Sequence, residues 1–497
     1  MSSINAMRDP SAGADGARVL SLRRGPQVPV LSEGDLERLR AAALRVLQET
    51  GIALSSERVA GRLSASGADA DARSGRVRFP VELVQERLAG VPPLGTLAAR
   101  DPACDLPVGG TEGWLGTGGS AEIAVDLVTD ARRSATLADV ADAARLADAL
   151  PQIGFVGRPA SATGAPGRSP ELHELLALLE NTSKHVQIAV PGGPGAAEAV
   201  VEVARLASGD GDAPGRAVVS AFLETSPLGI DADRLETAAR LAAAGIPCGF
   251  VSRPVAGATA PATLAGALVV ALAEVLGAVV ALQLLRPEAP TFVGCRGLRA
   301  HRGTGDPTPA GAAGPLFQLA WVRLARHVGL PAQTGAFGTG SWSSDWQAGM
   351  EGGLSATAAW MTGPELPVGA GLRGGGRVFS PIAMLLDAEL FDLVRRIPLG
   401  FDVDDETLAV EVIEGVGPGG HFLGEPHTLR HMREAWTSRY MDTDTWEAWE
   451  EQGNPQPPER ARDRALELRD THRPAPLPDG VPERIREVIA EHGRAGA

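Results

Sequence analysis

From residue 153 to residue 396 the chain repeats one unit. A short apolar run is followed by a turn and then by a helix-length stretch of ten or more residues. Strands are expected at 153–157, 185–190, 217–222, 247–251, 290–294, 331–335 and 366–371. Helices are expected at about 170–183, 194–208, 231–244, 260–286, 313–328, 347–361 and 381–396, with one more at 137–150 before the first strand. Strands that alternate with helices lie parallel. Seven or eight such units in ~250 residues favour a closed (β/α)8 TIM barrel over an open doubly wound sheet. The remaining strand is expected within 111–127, where Ile123-Ala124-Val125 and Leu127-Val128 also allow a hairpin.

The flanks divide the chain into four parts. Residues 1–30 are rich in Gly, Ala, Ser and Arg without periodicity and read as a mobile, disordered tail. Residues 31–110 read as an N-terminal helical cap: Ser32 and Asp35 mark a helix start, and Leu36, Leu39, Ala42, Ala43 and Leu47 follow at helical spacing. Further helices are expected at 56–65 and 80–89. The barrel takes 111–400. Residues 401–497 read as a C-terminal helical extension packed on it, whose aromatics Trp436, Tyr440, Trp446 and Trp449 offer a surface for a homo-oligomer.

A net charge of −15, from 46 basic and 61 acidic residues, argues against a nucleic-acid partner, which needs a basic surface. Cys104, Cys248 and Cys295 are too few and too scattered for a disulfide framework. The opening residues lack the basic and apolar regions of a signal peptide. The longest apolar stretch, 264–285, is interrupted by Glu274 and reads as a buried barrel helix rather than a membrane span. A soluble, cytoplasmic protein is expected. Lys184 is the single lysine among many arginines. Either it holds a position that arginine cannot fill, or it is one surviving surface lysine.

Five segments, in order, carry a family resemblance: Asn181-Thr182-Ser183-Lys184-His185; Thr225-Ser226-Pro227-Leu228; the run from Ala256 to Gly266 followed by Ala273-Glu274; Asp345-Trp346-Gln347-Ala348-Gly349-Met350-Glu351; and Val416-Gly417-Pro418-Gly419-Gly420-His421-Phe422-Leu423 with His427-Thr428. Leu47-Gln48-Glu49-Thr50-Gly51-Ile52 and Arg100-Asp101-Pro102 are similar too. Together they span about 31–475. The chain resembles the trimethylamine/glycine betaine methyltransferase family, as a member without pyrrolysine. The resemblance implies transfer of a methyl group from a quaternary or other methylated amine to a corrinoid (cobalamin). That cofactor would ride on a small cobalamin-binding partner protein, so none is expected to be tightly bound here. One stretch departs. Where the family commonly carries an Asp-Ser-Lys-like run, this chain reads Gly340-Ser341-Trp342-Ser343-Ser344. That change leaves open an alternative: a barrel of the same descent with metal- or acid/base-assisted lyase chemistry.

Methyl transfer from a quaternary ammonium needs no general acid, because a neutral amine leaves. The pocket must hold a cation, exclude water and aim one methyl group. Aromatic faces bind such cations. In a barrel these groups sit at the C-terminal ends of strands. Phe222, Phe250, Trp342 and Trp346 are therefore candidate cage walls, each with core packing as the alternative. Glu224 is a candidate counter-charge, and Arg253 a candidate for holding a substrate carboxylate. Asp345, Gln347 and Glu351 either contact substrate or anchor their helix, with Gln347 and Glu351 on one face. The Gly417–Gly420 run has no Gly-Lys-Ser/Thr continuation and is not a phosphate loop. A turn there, closing over the barrel mouth, would bring His421 to the substrate. His185 starts a strand, which favours a structural role. His421, His427 and His431, or Cys248 and Cys295, are weak metal patterns, and no metal is expected.

Overall fold

A computed structural model describes residues 18–23, 30–71, 73–164, 170–193, 195–209, 216–308, 311, 313–432 and 436–495. Seven parallel strands lie side by side in chain order: β1 (Phe155–Gly157), β2 (His185–Ala189), β3 (Val219–Thr225), β4 (Cys248–Ser252), β5 (Val293–Cys295), β6 (Ala332–Gly335) and β7 (Leu366–Val368). Gly116 closes the ring. It bridges in parallel to Phe155 of β1 and to Val368 of β7. Its N–H donates to Pro367 O at 2.8 Å, and its carbonyl accepts from Gly369 N at 3.2 Å. Only glycine fits, since a Cβ there would lie 2.3 Å from the Phe155 ring. The eighth strand expected within 111–127 is this segment. The hairpin allowed nearby also forms, Ile123–Val125 pairing antiparallel with Arg132–Ser134.

Among the described residues, eight helices surround the strands: α1 (Leu137–Ala149), α2 (Pro170–Asn181), α3 (Ala196–Ser208), α4 (Ala232–Ala243), α5 (Leu264–Leu285), α6 (Ala313–His327), α7 (Trp346–Thr362) and α8 (Pro381–Arg396). Side-chain caps start several of them. Thr136, Thr263, Asp345 and Ser380 each accept a backbone N–H from the first turn. Helix α5 is long and apolar enough to cross a membrane, but it is packed against the strands and mostly buried. It is a core helix of the barrel.

The period of two along each strand divides the core. Trp114, Phe155, Phe222, Val251, Phe292, Leu366 and Val368 form one cluster inside the barrel. Val156, Leu223, Phe250 and Val293 belong to the larger cluster shared with the helices. Gln333 of β6 donates to Gln187 of β2 at 2.8 Å, joining nearly opposite sides of the ring through its interior.

Two expectations about the flanks need correction. Ser21–Arg23, inside the stretch read as a disordered tail, forms a strand antiparallel to Glu112–Trp114, and Leu22 is buried there. Residues 1–17 and 24–29 of that tail lie outside the described residues. The 31–110 region is not all helical. Its helices Glu33–Arg45, Glu57–Ala65 and Val81–Ala89 match expectation. However, Ile52–Leu54, Asp69–Asp71 and Arg76–Arg78 form a small sheet with Gly229–Ile230 of the barrel, and Gly95–Leu97 pairs with Leu106–Val108. These strands are three residues long, too short to leave a periodic signal. In the C-terminal extension, Pro457–Thr471 packs on α8 and Val481–Ala495 packs on α2 and α3.

Candidate active site at the C-terminal ends of the strands

A cavity of about 910 Å³ opens at the C-terminal ends of the barrel strands. Its wall is built from residues that leave those strands: Gly118–Ser120 after the closing segment, Arg253 after β4, Arg296–Leu298 after β5, Ala336–Thr339 after β6, and Gly369 after β7. Trp342, Met350, Glu351 and Leu354 complete the side toward α7. This is where a barrel places its chemistry.

The unusual stretch Gly340–Ser344 holds the start of α7. Ser341 Oγ and Ser343 Oγ donate to Asp345 Oδ2 at 2.7 and 3.0 Å, while Asp345 Oδ1 caps the helix by accepting from Ala348 N at 2.9 Å. These hydrogen bonds, the backbone one first, lower the Asp345 pKa from its ordinary value. One turn on, Glu351 Oε2 accepts from Thr339 Oγ1 at 2.7 Å, Gly340 N at 2.8 Å and Gln347 Nε2 at 3.3 Å. The expected common face of Gln347 and Glu351 is thus present, and Glu351 reaches the cavity. The loop after β6 is stitched to the glycine run after β7 by Gly374 N to Ser341 O at 2.7 Å and Gly375 N to Thr339 O at 2.9 Å. The Trp342 ring lies against Gly374, where a Cβ would come within 2.6 Å of it, and the indole stays half exposed on the cavity wall.

Arg253 on the cavity wall pairs with Glu224, its Nη1 lying 3.0 and 3.2 Å from the two carboxylate oxygens. Phe222 points into the barrel, where the Arg296 guanidinium stands 6.0 Å from its ring centre. Burial lowers the Arg296 pKa. Phe250 is one residue out of phase. The register pairs Phe222 with Gly249, so Phe250 turns away from the barrel interior to the helix layer and does not reach the cavity. Trp346, the first residue of α7, is 79% exposed and lies outside the cavity lining. His421 is exposed in the C-terminal segment and is not among the lining residues either. The structure therefore brings Arg253, Trp342 and Glu351 to the cavity, sets Glu224, Phe222, Asp345 and Gln347 behind them, and leaves Phe250, Trp346 and His421 elsewhere. Sequence reasoning placed Arg296 at a strand end without giving it a role and passed over Glu122; both line the cavity. Arg296 had a signal, since it directly follows a strand; Glu122 had none.

The trimethylamine methyltransferase (MTTB) family model matches residues 5–497. The chain belongs to this methyltransferase family. A trimethylamine methyltransferase MttB of Desulfitobacterium hafniense (strain DSM 10664 / DCB-2) is 32% identical over 463 residues, 93% of each chain. A glycine betaine methyltransferase of Desulfitobacterium hafniense (strain Y51) is 28% identical over 474 residues, 94% of this chain and 98% of that one. Among solved structures, the Methanosarcina barkeri monomethylamine methyltransferase MtmB aligns with a TM-score of 0.48 at 12% identity, covering 98% of this chain and 92% of that chain. The expected activity, methyl transfer from a methylated amine, is the activity of the family; nothing in these matches supports the lyase alternative.

The remaining candidates of this MTTB family member have structural explanations. His185 is fully buried between Ala98 O at 2.7 Å and Ser220 Oγ at 2.9 Å, and burial pushes its pKa down to about 4. Cys295 touches the cavity, but burial drives its thiol pKa well up, away from the thiolate a metal would need. His427 and His431 gather with Glu406 rather than with His421. Arg430 donates to Glu406 Oε1 at 2.7 Å, the same oxygen that His431 approaches at 3.4 Å, so the carboxylate already has a cationic partner.

Proposed function

We propose that the cavity at the strand ends is where this family member presents one N-methyl group of a methylated amine to a corrinoid carried by a partner protein. The observation that carries this reading is the wall formed by Trp342, Glu351 and Glu122 around a cavity open at the barrel mouth. An indole face and two carboxylates suit a quaternary ammonium. Phe317 and Phe337 add apolar lining. At about 910 Å³ the cavity stands near the top of the ~300–1,000 Å³ range of ligand sites. That leaves room for the edge of a large planar cofactor above a small amine. The corrinoid supplies the nucleophile that accepts the methyl group. The chain's own residues bind the cation, orient it and keep water out; the departing amine is neutral and needs no proton. Asp345 and Gln347 act as positioning residues, the first through α7 and the second through Glu351. Glu224 positions Arg253.

The partner's approach is supported by an apolar stripe beside the mouth. Trp346, Met350 and Leu354 lie at i, i+4 and i+8 on α7, and each is at least half exposed. Met350 and Leu354 also line the cavity. A corrinoid protein seated there would bring its cofactor over the opening. A cytoplasmic location, where three free cysteines stay reduced, belongs to the same reading.

The test is methyl transfer from a panel of quaternary amines to reduced cobalamin, free and on a matched corrinoid protein, followed by cobalamin absorbance. Transfer from at least one amine, weakened by Trp342→Ala, is expected. Silence with every amine even with the matched corrinoid protein would overturn the reading.

A further inference from the structure

We infer that residues 397–432 form an interface arm for a second copy of this chain, the arm of each copy being covered by the body of the other in a two-fold pair. The inference concerns assembly and stands apart from the chemistry read in the cavity.

The arm has no core of its own. Between Val394, near the end of α8, and Tyr440, no described residue is buried. The segment is nevertheless strongly apolar. Phe401, Val403, Leu408, Ile413, Leu423 and Leu429 are each at least half exposed, Phe401 at 84% and Leu423 at 71%. Among the described residues, the other exposed large apolar side chains stand mostly around the mouth of the cavity. Covering those of the arm would remove on the order of 800 Å² per copy from water, the size of a standard stable interface. The largest apolar patch of an ordinary monomer is roughly 300–600 Å².

The arm is also fully formed without help from the barrel. It holds the helices Asp405–Leu408, Val410–Val416 and Pro426–His431. Asp404 and Thr407 cap the first of them reciprocally. A clasp joins its two halves: Arg430 donates to Glu406 Oε1 at 2.7 Å, and His427 Nε2 lies 3.0 Å from the Glu406 carbonyl oxygen. Among the described residues, the hydrogen bonds and ion pairs of 400–432 all stay within 397–432. A segment that folds only on meeting an occasional partner is polar and disordered when free. This one presents a formed apolar surface, as permanent interfaces do. Such a surface needs a cover that is always present, and the protein always made with this chain is another copy of it.

Position and charge narrow the contact. Asp392, in the last turns of α8, accepts from Gln152, just before β1, at 3.4 Å, so α8 ends beside the N-terminal ends of the strands. The returning chain is tied to the same helix, Ser438 Oγ and Arg439 N donating to Glu389 Oε1 at 2.5 and 2.8 Å. Both roots thus lie away from the cavity, which opens at the other ends of the strands, and a protein seated on the mouth leaves them uncovered. The arm carries seven carboxylates, with Arg430 as its single arginine. That charge does not suit an anionic lipid surface. It also makes two arms laid face to face repel. Exchange remains: each arm lies on the other copy's body, since a two-fold contact pairs two different patches twice. The aromatics expected to offer an oligomer surface contribute less. Tyr440 is buried, Trp436 and Trp449 are half-buried, and Trp446 alone of the four stands exposed.

The test is particle mass by sedimentation and light scattering. The unaltered protein at micromolar concentration should be a dimer or a multiple of dimers. Phe401→Asp with Leu423→Asp should halve the particle mass, weakening the pair by about 100-fold or more, as loss of two apolar anchors does. Circular dichroism and melting of the separated chains should stay cooperative, since neither side chain packs in its own copy's core. Trp346→Asp, at the mouth, should leave the mass unchanged. A second measurement needs no variant. Dihydrazide coupling of carboxylates in a mixture of labelled and unlabelled copies should join Glu411 or Glu414 of one copy to the body of another, and amide exchange in Val410–Val416 should be slow in the pair and fast after dilution. A monomer at micromolar concentration would overturn the inference. So would a particle that survives the double variant, or inter-copy links that all avoid the arm. Protection of the arm that appears only when a corrinoid protein or anionic vesicles are added would overturn it too, by naming a different cover.

Discussion

Ser252 Oγ donates a 2.6 Å hydrogen bond to Glu274, a carboxyl buried in the middle of α5, the most apolar helix of the barrel. Leu228 N at 2.8 Å and Thr225 Oγ1 at 3.4 Å also donate to it. Four groups from two strands, one loop and one helix are thereby joined on the outer face of the β3–β4 pair. No cation among the described residues reaches the carboxyl, and burial outweighs the hydrogen bonds, raising its pKa to about 7.

That shift fixes a pH dependence. The folded protein keeps the Glu274 proton from an ordinary value of 4.5 up to about 7, while the unfolded chain has released it. Stability from this group is complete below 4.5, falls as pH rises toward 7 and is level above. The loss is about 3 kcal/mol at full burial. Glu274→Gln should remove the slope, gaining on the unaltered protein between pH 5 and pH 8 in urea denaturation. Two curves that stay parallel across that range would refute it.

The lone lysine gives a second prediction. Lys184 Nζ donates to Ala147 O at 2.8 Å, Leu150 O at 2.7 Å and Ile153 O at 2.7 Å, one carbonyl in the last turn of α1 and two just beyond it. A tetrahedral ammonium offers three donors from one point; a planar guanidinium is larger and cannot. Lys184→Arg should therefore cost about 2–4 kcal/mol, and Lys184→Met a similar amount by orphaning the carbonyls. Thermal melting at neutral pH would show it. An unchanged melting temperature for Lys184→Arg would mean that the site tolerates the fork.

How far the sequence carried is visible in these residues. The repeat of strand and helix was legible because each unit spans enough residues for a period to show, and it placed Trp342 in the loop after a strand and Glu351 on the helix that follows. The oddity of Lys184 was legible as composition, though its three carbonyls were not. Phe250 went astray because register decides which face a strand residue occupies. Phe222 and Phe250 look alike in a string of letters, and only the pairing of Phe222 with Gly249 separates them. Closure at Gly116 was hidden because one bridging residue carries no alternation. The short strands of the 31–110 region and Glu122 failed for the same reason.

Trp342 and Gly374 supply a test of the cage wall. Trp342→Ala should raise KM for a quaternary amine by about 2- to 30-fold, the range of one cation–π contact. The ring is half exposed, so little stability should be lost. Gly374→Ala should act on the same ring from behind, because the new Cβ would sit 2.6 Å from the indole at a backbone φ of 57°. In a Trp342→Ala background the Gly374→Ala effect on KM should largely vanish. Additive effects would show that the glycine run acts on substrate by another route.

Trp346 distinguishes a cage residue from a docking residue. Its sequence position after β6 suited a cage wall or core packing, but the structure leaves it 79% exposed, outside the cavity and in line with Met350 and Leu354. If the stripe seats the corrinoid protein, Trp346→Asp should reduce methyl transfer to that protein by about 10-fold or more, as loss of an exposed aromatic anchor does. Transfer to free cobalamin, which needs no docking, should fall far less. A cage role predicts the opposite pattern, with both acceptors losing rate together and KM for the amine rising. Measuring the two acceptors side by side in one preparation therefore assigns the residue, and with it the face of the barrel that meets the partner.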